Sequence, residues 1–499
     1  MSMRTRTIAG PLKGLAATLL AAAALLSAPA VHAQNAANAD AAFNSFLSAY
    51  LVRSGGQTYF VDGLNKRDKA FFWGQCYMIT MVEDAYDRSP TPANKQLIID
   101  LENSQINQDT TSWSWDGWND DVEWGIIAAI RAYKLTGNTT YRDVAANNWN
   151  MVWNRAWDGA LGGGVWENQD KFSKCALSND PLIITGCMLY QATGDATYLN
   201  KCTQQIYPWM RSHVFNTSTG QVNEGVDNTG ALQPSQNVYN SGAFILAANA
   251  LYKATGNQQY YNDAKLAADF IVNSTPTLYH NGTDGSWADQ FVRGLSRFAR
   301  ENNLWGTYSG WLNNQAAAAW NHRRTDLNLT DNNWLQNTPG GETYAMNALS
   351  AVVVQLVTQI NPLTGSHVVV NKLSNKAMEN GGSLANNAGI IQWGKGGQPW
   401  QTWEFTQNSD TSWNIVNAYS TQGLDTGGST TNGTQLIQWP ADSSNNNQRW
   451  WVDGQSDGSF KIWSKANSKS LDNSSSTADG YKIVLWDWNG GNQQRWLLR

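Results

Sequence analysis

At 499 residues the chain is longer than one hydrophobic core usually organises, so two or more domains are expected. Aromatic residues make up 11% of it, with 26 tryptophans, and charged residues only 15%, a balance that excludes a disordered chain or a coiled coil. The formal net charge of −5 becomes −8 without residues 1–33, which argues against a nucleic-acid partner, because phosphate backbones demand a basic footprint.

The first residues read as Arg4, Arg6 and Lys13, an apolar run from Leu15 to Leu26, and the small-residue site Val31-His32-Ala33. That order predicts a secretory signal over 1–33, cleaved after Ala33, and a secreted protein, extracellular or periplasmic. The apolar run is shorter than the roughly 20 residues a spanning helix needs, so no membrane association is expected after cleavage. Four cysteines follow, Cys76, Cys175, Cys187 and Cys202. Cys187 and Cys202 lie at similar distances on either side of Gly194 and are expected to pair across a helical hairpin. No CxxC spacing occurs and the five histidines do not cluster, so no metal and no cofactor are expected.

From about residue 41 to 360, apolar residues recur at three- and four-residue intervals. The pattern predicts twelve helices, over 40–51, 70–86, 94–105, 121–136, 140–153, 177–193, 196–214, 238–255, 258–273, 289–302, 314–322 and 342–360. One phrase recurs three times: Tyr133-Lys-Leu-Thr-Gly137-Asn138, Tyr190-Gln-Ala-Thr-Gly194-Asp195 and Tyr252-Lys-Ala-Thr-Gly256-Asn257. Each predicts a helix stopped by a left-handed glycine and a second helix starting at once, hence repeated helical hairpins. Six hairpins closed into a ring would make a double-layered α-barrel, and an open solenoid is the competing arrangement.

Within this region Trp113-Ser-Trp115-Asp116-Gly-Trp118-Asn119-Asp120-Asp121-Val-Glu123-Trp124 sets two adjacent acids among four tryptophans at the start of a predicted helix. Two like charges side by side repel, so one keeps its proton to a higher pH, which supplies an acid and a base from one residue type. Asp120-x-x-Glu123 fits a helix capping box equally well. The run Asn119-Asp120-Asp121, together with Gly162-Gly163-Gly164-Val-Trp166, Lys174-Cys-Ala-Leu-Ser178-Asn179, Val222-Asn223-Glu-Gly225-Val-Asp227, Tyr239-Asn240-Ser-Gly242, Phe291-Val-Arg293 and Ala319-Trp320, resembles glycoside hydrolase family 76, the endo-α-1,6-mannanases. The resemblance covers about residues 40–360.

It implies an all-α (α/α)6 barrel over 34–362 that hydrolyses the α-1,6-mannan backbone with retention through a covalent glycosyl-enzyme. Asp120 would be the nucleophile and Asp121 the general acid/base. Trp73, Trp166 and Trp320 would stack on sugar rings or belong to the core; Asn179, Asp227, Tyr239 and Asn240 would hydrogen-bond mannose hydroxyls. Glu224 stands where the family commonly has Asp, and Glu167 where an aromatic is frequent. A transglycosylase making the same intermediate is the alternative, and a catalytically inactive mannan-binding protein the alternative of another class.

Beyond Ser366 the sequence turns β-branched and rich in Gly and Asn. Gln401-Thr-Trp403, Gln448-Arg-Trp450 and Gln494-Arg-Trp496 recur at 47 and 46 residues. Upstream of each stand another tryptophan (Trp393, Trp439, Trp486) and, fourteen residues earlier, an acid (Glu379, Asp425, Asp472). The threefold pattern over 366–499 resembles a ricin-type β-trefoil lectin of carbohydrate-binding module family 13. The resemblance implies sugar contact through Asp425, Trp439, Asn447 and Gln448 in the second unit and Asp472, Trp486 and Gln493 in the third. Binding at the first unit is expected to be weak or absent, since Trp400 occupies the Asn position. The whole is expected to be a monomer that holds α-1,6-linked mannan or manno-oligosaccharides.

Overall fold

The computed structural model describes residues 36–234, 237–281, 288–361, 363–408, 410–455 and 457–499. The predicted signal segment lies outside the described residues. In chain order the first domain runs α1 (Ala36–Tyr50), β1 (Leu51–Ser54), β2 (Gln57–Phe60), α2 (Phe72–Arg88), α3 (Pro92–Asp109), α4 (Asn119–Thr136), α5 (Thr139–Ala156), β3 (Ser173–Cys175) and α6 (Ala176–Thr193). It continues through α7 (Ala196–Lys201), α8 (Tyr207–His213), β4 (Gly225–Asp227), β5 (Leu232–Gln233), α9 (Val238–Thr255), α10 (Gln258–Ser274), α11 (Asp289–Glu301), α12 (Trp305–Asn321) and α13 (Ala345–Val357). A π turn over Cys202–Ile206 joins α7 to α8 without a break.

The repeated Tyr-x-x-Thr-Gly phrase ends α4, α6 and α9 as its residues dictate. Gly137, Gly194 and Gly256 take φ of 76°, 73° and 70°, and each N–H closes onto the carbonyl of the phrase's tyrosine. The next residue, Asn138, Asp195 or Asn257, then caps the following helix by accepting an N–H two residues on. One six-residue phrase thereby stops one helix and starts another, which yields antiparallel pairs.

Helices α2, α4, α6, α9, α11 and α13 touch in sequence, and α13 returns to α2, so these six form a closed ring. They are buried nearly all round, as helices inside a second layer must be. Helices α1, α3, α5, α7–α8, α10 and α12 pack outside them. Helix α12 starts nine residues before the predicted segment. Gly306 and Gly310 lower its intrinsic propensity, and tertiary contacts override that: Tyr308 is buried with its hydroxyl on Asp269. The domain is also not purely helical. The Gly55-Gly56 turn closes the β1–β2 hairpin, and β3, β4 and β5 form a small antiparallel sheet beside the start of α6.

The predicted Cys187–Cys202 disulfide is not formed, and all four cysteines are buried thiols. Cys202 Sγ packs against Gly186, faces the Leu182 and Ile183 carbonyls and lies within hydrogen-bonding reach of the Cys187 thiol, so the two predicted partners meet as neighbouring thiols.

The second domain comprises β6 (Gly365–Asn371), β7 (Ala377–Glu379), β8 (Ile391–Trp393), β9 (Thr402–Gln407), β10 (Trp413–Asn417), β11 (Gln422–Asp425), β12 (Ile437–Pro440), β13 (Arg449–Gly454), β14 (Phe460–Ser464), β15 (Ser470–Asp472), β16 (Tyr481–Lys482), β17 (Val484–Trp486) and β18 (Arg495–Leu498). Strands β6, β9, β10, β13, β14 and β18 pair around a closed six-stranded barrel, which removes every sheet edge. Trp403, Trp450 and Trp496 fill its core, and their indole N–H groups donate to the Met378, Leu424 and Leu471 carbonyls at 2.9, 3.0 and 3.2 Å. The Gln-x-Trp repeat is therefore the signature of a threefold core.

This domain sits on the end of the helix ring where α4, α6, α9 and α11 finish. Lys134 Nζ meets Glu404 at 2.5 Å, Ser366 N donates to Glu301, Arg300 Nε donates to the Thr364 carbonyl and the Tyr190 hydroxyl donates to the Gly397 carbonyl. Glu301 is held down to about 2 despite burial, because Arg297 and Lys253 face it.

Candidate active site

Helix α4 delivers the acid pair at the opposite end of the ring. Its first turn is pinned by Asn119, which is fully buried: Asn119 N and Nδ2 donate to the Glu167 and Trp166 carbonyls, both at 2.7 Å, and Arg155 Nε donates to Asn119 Oδ1 at 2.6 Å. The helix therefore begins at Asn119 with Trp118 at the N-cap, two residues earlier than a capping box from Asp120 requires. Glu123 is accordingly no cap partner. Its carboxyl is buried deeper in the domain without a hydrogen bond.

Asp120 and Asp121 occupy the second and third helical positions, where free N–H groups and the helix dipole favour negative charge. Both are half-buried. Burial and the neighbouring Asp121 and Glu167 carboxylates hold Asp120 well above the usual carboxylate range, while the amides of residues 120 and 121 work against that rise. Burial, Asp116 and Glu167 push Asp121 up to about 7. Two acids that cannot both ionise near neutrality hold one proton between them. The helix-terminal amides favour Asp120 as the charged member, which leaves the proton to Asp121.

Two further carboxylates face this end. Glu167 accepts from Ser173 Oγ, and Glu224 accepts from the Tyr239 hydroxyl at 2.9 Å, from Asn240 Nδ2 at 3.0 Å and from Asn237 Nδ2 at 3.1 Å. Tyr239 and Asn240, expected to hydrogen-bond mannose, converge here on Glu224, and Asn240 Oδ1 keeps no partner. Trp73 is half-buried and starts an edge-to-face series of rings, Trp73–Tyr77–Trp124, that runs into the ring of helices beside Asp120.

The other predicted contact residues hold internal partners. Asn179 is fully buried and spends its amide on backbone, with Val165 N donating to Oδ1 and Nδ2 donating to the Val165 and Cys175 carbonyls. Trp166 is buried, its indole N–H on Asp158 and its ring under Lys174. Asp227 closes the turn into β5 by accepting from Thr229 and Ala231. Trp320 lies under the Arg323 guanidinium, 4.0 Å from its ring centre, so one face is covered. Asn179→Ala is expected to destabilise the domain by about 2 kcal/mol by stranding the buried Val165 N–H, the Val165 and Cys175 carbonyls keeping Ser178 Oγ, read as a lower urea midpoint with an unchanged m-value.

Of the aromatics that rim this end, the sequence pattern singles out only Trp118. Phe71 and Trp118 are the N-cap residues of α2 and α4, Phe172 precedes β3, and all three are exposed. An aromatic placed just before a buried helix was the available signal. In the sequence Glu167 and Glu224 stand out only as departures from the family pattern.

In the second domain Trp393, Trp439 and Trp486 are all exposed, whereas the acids Glu379, Asp425 and Asp472 are buried beneath them. Gln448 is buried too, its Nε2 on Asp425 and its Oε1 on Asp442 N, so it braces the acid instead of reaching outward. Asn447 accepts from Thr426 Oγ1, and Gln493 donates to Asn489. In the first unit Gln401 holds Glu379, and Trp400 lies edge-on to Tyr419.

Comparison with known proteins gives this geometry a context. The family model for glycosyl hydrolase family 76 matches residues 34–366, two thirds of the chain. The chain belongs to glycosyl hydrolase family 76. A model for the ricin-type β-trefoil lectin domain-like family matches residues 357–439 and 426–486, so the glycosyl hydrolase domain carries a lectin-like β-trefoil. No curated protein matches.

Among solved structures, an inactive variant of the α-1,6-mannanase GH76A of Salegentibacter sp. HEL1_6, in complex with α-1,6-mannotriose, is 24% identical, covering 65% of this chain and 98% of that one with a TM-score of 0.59. A protein of Listeria innocua is 22% identical over 64% of this chain and 96% of that one, with a TM-score of 0.59. A family 76 mannosidase of Bacteroides thetaiotaomicron is 20% identical over 66% and 98%, with a TM-score of 0.56. At these identities the likeness concerns the fold of the helical domain.

Proposed function

We propose that this family 76 member is a secreted, endo-acting, retaining α-1,6-mannanase whose double ring of helices is an (α/α)6 barrel, and whose β-trefoil holds it on polysaccharide through the second and third units. The observation that carries the reading is the Asp120-Asp121 pair, half-buried on the first turn of an inner helix and rimmed by exposed aromatic rings. The Salegentibacter mannanase, captured with α-1,6-mannotriose, is inactivated by replacing two consecutive aspartates, which supports the same pair here.

In this reading Asp120 attacks the anomeric carbon while Asp121 gives its proton to the leaving glycosidic oxygen. Asp121 then takes a proton from the water that releases the sugar from Asp120. The exposed rings of Phe71, Trp118 and Phe172 offer flat apolar faces for sugar rings, and the Tyr239–Asn240–Glu224 cluster offers hydroxyl partners.

Digestion of debranched yeast mannan followed by sizing of products tests the reading. A ladder of α-1,6-manno-oligosaccharides is expected; no new reducing ends, or mannose alone, would sink endo-action. Asp121 must carry its proton into the first step, so kcat/KM on a defined manno-oligosaccharide is expected to fall as pH rises through about 7. An alkaline limb two or more units higher would contradict the role given to Asp121.

A further inference from the structure

Glu123 stands one helical turn beyond Asp120 on the same face of α4. It is fully buried, neither carboxyl oxygen closes a well-formed hydrogen bond, and of the donors around it only the Leu182 amide and the Arg155 guanidinium favour its charged form. Asp180, from the adjacent ring helix α6, is equally buried with both oxygens unpartnered. The cation facing Glu123 is Arg155 from α5. Its Nε is committed to Asn119, and its two terminal nitrogens are buried without hydrogen bonds.

A carboxylate taken out of water with no well-formed hydrogen bond to receive it is far less favourable than the neutral acid, so such a group keeps its proton. An ionised Glu123 would also set another negative charge behind Asp120. Asp120 already faces Asp121 on its own helix, Glu167 on the loop before β3 and the Tyr77 phenol from α2, with Asp116 acting on its neighbour Asp121. That added charge would keep a proton on Asp120 and deny the site its nucleophile.

We propose that Glu123 is a positioning residue for the acid pair: a buried neutral carboxyl, matched by Asp180 and faced by Arg155, that keeps negative charge on Asp120 and off the helix behind it. The proposal rests on Asp120 acting as the nucleophile. Glu123 touches no substrate and acts through Asp120 alone.

Infrared difference spectra of the full chain at pH 7, wild type against Glu123→Gln, test it directly. Asp121 and Asp180 contribute protonated-carboxyl bands to both proteins, so the expected result is one such C=O band present in the wild type and lost in Glu123→Gln. A difference spectrum with no carboxyl C=O band overturns the proposal. On manno-oligosaccharides, Glu123→Ala is expected to lose more than about tenfold in kcat, and Glu123→Gln, a neutral isostere, to restore most of it with the acidic limb of the pH profile in place. An acidic limb displaced downward by about half a unit or more in Glu123→Gln would mean that a charge had been removed, and would overturn the proposal. The infrared band is read without turnover, so a chain lacking mannanase activity would defeat the functional reading while leaving Glu123 separately decided.

Discussion

Asp121→Asn is expected to lower kcat/KM on mannan by about 10³- to 10⁴-fold while sparing an aryl α-mannoside whose leaving group needs no proton. The two substrates separate because the amide cannot protonate a poor leaving oxygen, whereas Asp120 can still attack. Asp120→Asn is expected to abolish turnover of both, since no intermediate forms. Steady-state kinetics on the two substrates checks the pair of variants; equal loss on both for Asp121→Asn would mean that the roles are misassigned. Both replacements keep volume and polarity at the first turn of α4, where the Asn119 and Arg155 contacts fix the backbone, so little change in Tm should accompany them.

Gly242→Ala is expected to be the most damaging single change outside the acid pair. Where α9 crosses α11, a β-carbon on Gly242 would stand 2.3 Å from Phe291 N and 2.4 Å from Phe291 Cα, and one on Gly294 would stand 2.5 Å from the Gly242 carbonyl oxygen. Those neighbours are backbone and cannot rotate away. The helices must part, at about 3 kcal/mol or more, which in a domain of this size lowers Tm by about 5 °C or more. The displacement reaches Tyr239 and Asn240, two residues upstream, so activity should fall in the fraction that folds. A thermal melt within a degree of wild type would show that the crossing is looser than its backbone contact implies.

Much of this architecture was legible in the chain. The Tyr-x-x-Thr-Gly phrase carries its own stop and start signals, and three copies were enough to expect paired helices; the tryptophans of the Gln-x-Trp repeat announced a threefold core. What stayed hidden was long-range. Glu123 looks like a cap because capping is a local rule, but Asn119, tied to Trp166, Glu167 and Arg155, moves the helix start by two residues and sends Glu123 inward. Asn179 and Trp166 read as ligand contacts because a buried amide and a buried indole look the same in sequence as exposed ones. Glu167 and Glu224 were noticed as oddities, and only the fold brings them to the same end as the pair. The β1–β2 hairpin follows directly on α1 and is too short for periodicity to register.

The Lys134–Glu404 pair at the foot of α4 has a geometric corollary. Asp121 and Lys134 lie on one helix thirteen residues apart, about 20 Å at 1.5 Å per residue. The cleft mouth and the trefoil thus look in opposite directions, like the jaw and the heel of one tool. A strand gripped at the heel cannot run straight on into the jaw; it must turn back on itself, or a neighbouring strand must be the one that is cut. Anchoring of this kind sets a radius of action around the point of attachment, and leaves the length of the groove that reads the substrate untouched.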